Sequence, residues 1–121
     1  MHHIGTDIIE IGRIRQTMAR WGEKFLQRVY TAEERRRYGH KLPSLAARFA
    51  GKEAVVKALG SSGICWRDIE ILTAASGLPL VNLYGKAREE ADNLGLASLA
   101  ISLSHSRKYA IAFAIGEREA N

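Results

Sequence analysis

One cysteine, Cys65, stands in a chain of 121 residues, so no internal disulfide framework can hold it together, and a reducing compartment, the cytoplasm, is expected. No apolar run approaches the roughly 18 residues of a membrane span, and the polar start His2-His3 is not that of a secretory leader, so no membrane partner is expected. Low-complexity tracts, repeats and long linkers are missing too, which leaves one domain over residues 1–121 as the expected organisation.

What is present is globular in character. Hydrophobic residues make up 46% and charged residues 26%, enough for a packed core. A domain this small buries only about 65% of the surface of its unfolded chain, a thin margin that association with further copies would widen. The net charge is +5, with much of the positive charge between Arg13 and Arg37, which suits an acidic partner or a phosphate-rich ligand. Charge alone does not separate nucleic acid, nucleotide, membrane surface and acidic protein.

Residues Ile4 to Ile11 read as a strand with isoleucines on both faces. Ile11, Ile14, Met18, Trp21, Phe25 and Val29 then follow helical spacing, with Gly22 as a bend or break. Thr31 with Glu34 is a capping box that starts a short helix, and Gly39 is its natural stop. A longer helix opens at Pro43-Ser44 and ends at Leu59, with Gly60 as its cap. Strands are expected at Ile69–Thr73 and Leu80–Leu83, a helix at Ala87–Leu94, and a closing hairpin from Leu99–Leu103 and Tyr109–Ile115. The fold class expected is α+β, a mainly antiparallel sheet with helices packed on one side.

Three places carry unusual chemistry. Asp7 sits in an apolar strand, where aspartate is disfavoured; it either faces water at an edge or has a partner. In the helix from Ser44 to Leu59, a core stripe of Leu45, Phe49, Val56 and Leu59 includes Lys52 and borders Glu53, with Lys57 one turn on. Glu53 and Lys57 form either an ordinary i,i+4 pair, with Lys52 snorkelling out, or a carboxylate among cations, Arg48 included, suited to an anion held through a metal. If Asp7 and Glu53 meet, two carboxylates without Cys or paired His favour Mg²⁺, which completes its shell with water and substrate phosphates.

The third place is the reversal Ser102-Leu103-Ser104-His105-Ser106-Arg107-Lys108, whose donors fit phosphate binding better than turn formation, although a solvated basic turn is the alternative. The loop Gly60-Ser61-Ser62-Gly63 follows a helix C-terminus, the end that repels anions, and is read as a cap and turn. Across the first helical region Arg13, Thr17, Arg20, Lys24 and Arg28 line up as a stripe of one sign, suited to an acidic helix or a polyanion.

Three segments in this order resemble the bacterial holo-[acyl-carrier-protein] synthases, the small group of 4′-phosphopantetheinyl transferases. They are Gly5-Thr6-Asp7-Ile8-Ile9, the stretch Ala47-Arg48-Phe49-Ala50-Gly51-Lys52-Glu53-Ala54-Val55-Val56-Lys57-Ala58-Leu59-Gly60, and Ser102-Leu103-Ser104-His105-Ser106 with Tyr109-Ala110. The resemblance runs over nearly the whole chain, the departure being His2-His3, where more apolar residues are expected. It implies the 4′-phosphopantetheinyl transferase fold and transfer of phosphopantetheine from coenzyme A to a serine of an apo acyl carrier protein, leaving 3′,5′-ADP.

On that resemblance Asp7 and Glu53 bind Mg²⁺ with the pyrophosphate of coenzyme A, and Lys57 lies on the phosphates. Arg48 and Ser104, His105 and Ser106 help to hold the coenzyme, and the acidic carrier docks on Arg13, Arg20, Lys24, Phe25 and Arg28. The family forms homotrimers with each site between neighbouring subunits. Glu53 itself or a water polarised at the metal would take the serine proton, and a carboxylate already ligating Mg²⁺ is a poor base. A basic nucleic-acid-binding module without catalysis is the rival, but it leaves Asp7 and Glu53 unexplained and lacks an aromatic platform for bases.

Overall fold

The computed structural model describes residues 2–118. The chain begins with strand β1 (His2–Glu10) and helices α1 (Ile11–Trp21), α2 (Glu23–Val29), α3 (Ala32–Tyr38) and α4 (Leu42–Leu59). A single 3₁₀ turn (Trp66–Asp68) leads to β2 (Ile69–Thr73) and β3 (Pro79–Leu83), followed by α5 (Gly85–Asn93), β4 (Leu96–His105) and β5 (Tyr109–Arg118). Strands β1, β5 and β4 form one antiparallel sheet in that order, while β2 and β3 pair separately.

Local signals set most boundaries. Gly22 breaks the first helical stretch at φ 55°, and the Thr31–Glu34 capping box forms reciprocally. Gly60 closes α4 in the left-handed region at φ 67°. The closing hairpin is longer than its hydrophobic pattern suggested, so Ser104 and His105 belong to β4 and only residues 106–108 reverse the chain.

Helix α4 is the centre of the molecule. Leu45 and Leu59 are buried as expected, but Phe49 and Val56 are only half-buried, and burial is spread around the helix through Ala46, Ala47, Ala50, Ala54, Val55 and Ala58. A helix enclosed on all sides has no single apolar stripe, which is why a one-sided wheel mistook its core. Small residues let it lie directly on the sheet, whose facing positions in β5 are Ala110, Ala112 and Ala114, all fully buried.

Gly5 is where this approach is tightest. A Cβ there would run into the Ala54 carbonyl and come within 2.7 Å of the Ala58 nitrogen. The opposite face of the sheet has no such cover: Ile4, Ile8, Ile111 and Phe113 are between 44% and 60% exposed on neighbouring β1 and β5. Such a contiguous apolar face is unusual for an isolated soluble domain.

Candidate active site

Asp7 lies two residues beyond Gly5 in β1 and therefore projects from the same side of the strand, toward α4. There it meets Lys57, whose Nζ donates to Asp7 Oδ1 at 3.1 Å and to the Thr6 carbonyl at 3.0 Å. The Asp7 side chain is 19% exposed and that of Lys57 is 55% exposed, so the ammonium is anchored at the strand yet open to an anion. Asp7 has a partner, and it belongs to the helix that carries Glu53.

Glu53 sits one turn before Lys57, and the simple i,i+4 pair does not form. Its Oε1 instead accepts the indole Nε1–H of Trp66 at 2.6 Å, a charge-assisted bond from the 3₁₀ turn. Sequence reasoning missed Trp66 as a neighbour of the site. The signal available was an aromatic donor just past the end of α4, and nothing in its spacing pointed back to Glu53.

Lys52 neither snorkels out nor joins the carboxylates. It is fully buried, paired with equally buried Glu34 at 2.7 Å, and donates to the carbonyls of Trp66 and Ile69. Burial pushes the Lys52 ammonium below its usual pKa, while the Glu34 carboxylate works in the opposite direction. Glu34 also accepts from the backbone N–H groups of Thr31 and Ile71, so a residue read as a helix cap is also the counter-ion of the core.

Arg48 is drawn into the fold. It is 5% exposed, and its guanidinium lies 3.5 Å from the centre of the Tyr38 ring. It donates to the Ile71 carbonyl at 2.9 Å and to Thr73 Oγ1 at 2.8 Å. These contacts tie β2 to α3 and α4.

Ser104, His105 and Ser106 are exposed at the far end of β4. Ser106 Oγ accepts from the backbone N–H groups of Lys108 and Tyr109 and shapes the reversal. Strand β5 lies between β4 and β1, so those two strands run about 10 Å apart, two strand spacings. None of the hydrogen bonds of these three residues reaches Asp7, Glu53 or Lys57.

The stripe on α1 and α2 borders a groove of about 600 Å³ with Arg13, Lys24 and Arg28 at its edge and Ile14, Phe25 and Phe49 among its apolar walls. Trp66 also lines it, so the groove runs up to the residue bonded to Glu53. Arg20 lies outside the lining, stacked over the Trp21 ring at 5.1 Å.

The groups at hand are the Asp7 carboxylate with the Lys57 ammonium bonded to it and, one turn back on α4, the Glu53 carboxylate. Among the described residues no three His, Cys, Asp or Glu side chains gather, so a cation here would draw its remaining ligands from water or substrate. Hard oxygen donors of that number suit Mg²⁺ bound together with a phosphate ester, and suit Zn²⁺ poorly.

Comparison with known proteins identifies the family. The profile of the 4′-phosphopantetheinyl transferase superfamily matches residues 3–114. A holo-[acyl-carrier-protein] synthase of Dehalococcoides mccartyi strain CBDB1 is 51% identical over 118 residues, covering 97% of this chain and 99% of that protein. One from Herpetosiphon aurantiacus is 44% identical, covering 93% and 95%. The crystal structure of Helicobacter pylori holo-[acyl-carrier-protein] synthase in complex with coenzyme A superposes with a TM-score of 0.85 at 34% identity, over 94% of this chain and 99% of that one. With a family profile spanning most of its length and near full-length relatives at this identity, the chain belongs to the 4′-phosphopantetheinyl transferase superfamily and is a transferase enzyme of the holo-[acyl-carrier-protein] synthase kind.

Proposed function

We propose that this chain transfers the 4′-phosphopantetheine arm of coenzyme A to a serine of an acidic apo acyl carrier protein, with Mg²⁺, releasing 3′,5′-ADP in the cytoplasm. The observation that carries the reading is the seating of Asp7 and Lys57 against each other, one helical turn from Glu53, in a chain with synthase relatives. The Helicobacter pylori protein, similar over nearly its whole length, is described in complex with coenzyme A.

Asp7 and Glu53 are the residues that would hold Mg²⁺, and the cation's chemistry there is neutralisation of the pyrophosphate charge. Lys57, anchored on Thr6 and Asp7 with its side chain half in solvent, stabilises the departing phosphate oxygens. The serine oxygen bonds to the β-phosphorus of coenzyme A, the bridging phosphorus–oxygen bond breaks, and 3′,5′-ADP carries the electrons away. Most of the rate comes from positioning and charge compensation, as in phosphoryl transfer generally. With Oε1 of Glu53 already accepting from Trp66, the serine proton passes to water.

The carrier docks over α1 and α2. Arg13, Lys24 and Arg28 steer acidic residues, and Phe25 on the groove wall meets the carrier's apolar helix side. Arg20, outside the groove, contributes long-range attraction. The chain works as a homotrimer through the open sheet face of Ile4, Ile8, Ile111 and Phe113. Ser104, His105 and Ser106, remote from Asp7 within one chain, then serve the coenzyme bound at a neighbour's carboxylates.

Thermal melts with coenzyme A, Mg²⁺ and both together test the ligand assignment. Synergistic stabilisation by the pair is expected. Stabilisation by duplex or single-stranded DNA without any coenzyme effect would instead establish the nucleic-acid-binding module.

A further inference from the structure

Trp66 is held at three points around the site. Its indole Nε1–H donates to Glu53 Oε1 at 2.6 Å, and its carbonyl accepts from the buried Lys52 ammonium at 3.0 Å. Its ring leans on Phe49, with centroids 5.8 Å apart and planes at 35°. An indole has one donor and no acceptor, and here that donor is spent on one oxygen of a carboxylate. The 3₁₀ turn Trp66–Asp68 is fixed in turn by the fully buried Lys52–Glu34 pair, so the donor sits on a rigid support.

We propose that Trp66 is a positioning residue whose indole N–H occupies Oε1 of Glu53 and so presents the other oxygen, Oε2, to a divalent cation. The proposal rests on Glu53 being a cation ligand. Ligating carboxylates are commonly oriented by a hydrogen bond from a neighbouring group, and removing such a group costs about 10–100-fold in metal affinity or activity. In this chain the orienting donor comes from outside the helix that bears the ligand. The carboxylate's orientation therefore depends on the packing between α4 and the 3₁₀ turn, and the same ring forms part of the groove wall beside Phe25.

The test compares the full-length protein with Trp66→Phe, which keeps a ring against Phe49 and the carbonyl bond to Lys52 while deleting the donor, and with Glu53→Ala. Binding of Mn²⁺ in the presence of coenzyme A is read by electron paramagnetic resonance of the free ion, beside a melting curve for each protein. The expected result is at least about tenfold weaker Mn²⁺ binding in Trp66→Phe at near-native melting temperature, and loss of binding in Glu53→Ala. Loss in Glu53→Ala with unchanged affinity in Trp66→Phe overturns the positioning role and leaves the ligand assignment standing. Wild-type affinity in Glu53→Ala overturns the ligand assignment, and the proposal with it. Should Trp66→Phe fold poorly, the wild-type indole N–H resonance decides, with Trp21→Phe used to assign it. A shift on adding Mg²⁺ with coenzyme A is expected, and an unmoved resonance counts against the proposal.

Discussion

Replacing Lys52 by Met removes one charge from the centre of the fold at nearly constant volume. Both partners of the Lys52–Glu34 pair have fully buried side chains, so no water can reach the carboxylate left behind. Breaking such a buried pair from one side costs about 3–5 kcal/mol, chiefly as the desolvated charge of the survivor. The carbonyls of Trp66 and Ile69 lose a donor as well, which places the effect toward the upper end of that range. For a domain of this size about 4 °C of melting temperature accompanies each kcal/mol, so a fall of roughly 12–20 °C is expected. Circular dichroism melts at one fixed protein concentration read this directly, with any contribution from assembly held constant. The double variant Glu34→Gln/Lys52→Met, which removes both charges, should be more stable than Lys52→Met alone. A single variant within about 2 °C of the parent, where the buried-pair cost predicts far more, would refute the reasoning, as would a double variant with strictly additive losses.

Asp7→Ala and Glu53→Ala should each cut transfer by at least about 100-fold while leaving the circular dichroism spectrum unchanged, because each removes one of the two carboxylates proposed to hold the cation. Near-parent turnover of both at saturating Mg²⁺ would remove the two-carboxylate site. Reversing charge at Arg13, Arg20 and Arg28 should slow carrier association several-fold in a salt-dependent way and leave coenzyme A affinity unchanged in calorimetry; a loss on the coenzyme side would reassign the stripe. Ile8→Asp or Phe113→Asp should dissociate the proposed trimer in light scattering, since both side chains lie on the uncovered sheet face, and an intact trimer would place its interface elsewhere.

Legibility in the sequence follows the range of the interaction. The capping box at Thr31–Glu34, the break at Gly22 and the left-handed cap at Gly60 are local and appear where their residues predict. The meeting of β1 with α4 is not local. It depends on Gly5 having no Cβ to strike the Ala54 carbonyl, and only the resemblance pointed to Asp7 and Glu53 as partners in one site. Lys52 was misread, and the fold contacts of Arg48 went unseen, for one reason: cations on a helix look available to a ligand until their tertiary partners are known. Those partners, Glu34 for Lys52 and Ile71 and Thr73 for Arg48, lie on other elements far along the chain. Trp66 is the same case from the donor's side, its bond to Glu53 set by how the chain folds back after α4.

The central claim is the transfer itself. Intact-protein mass spectrometry of an apo acyl carrier protein incubated with this chain, coenzyme A and Mg²⁺ tests it most directly. The carrier is expected to gain the mass of one 4′-phosphopantetheine on its serine, only when all three are present, with 3′,5′-ADP appearing in equal amount. A carrier that stays unmodified over a range of carrier proteins, with the enzyme folded and binding coenzyme A, would contradict it.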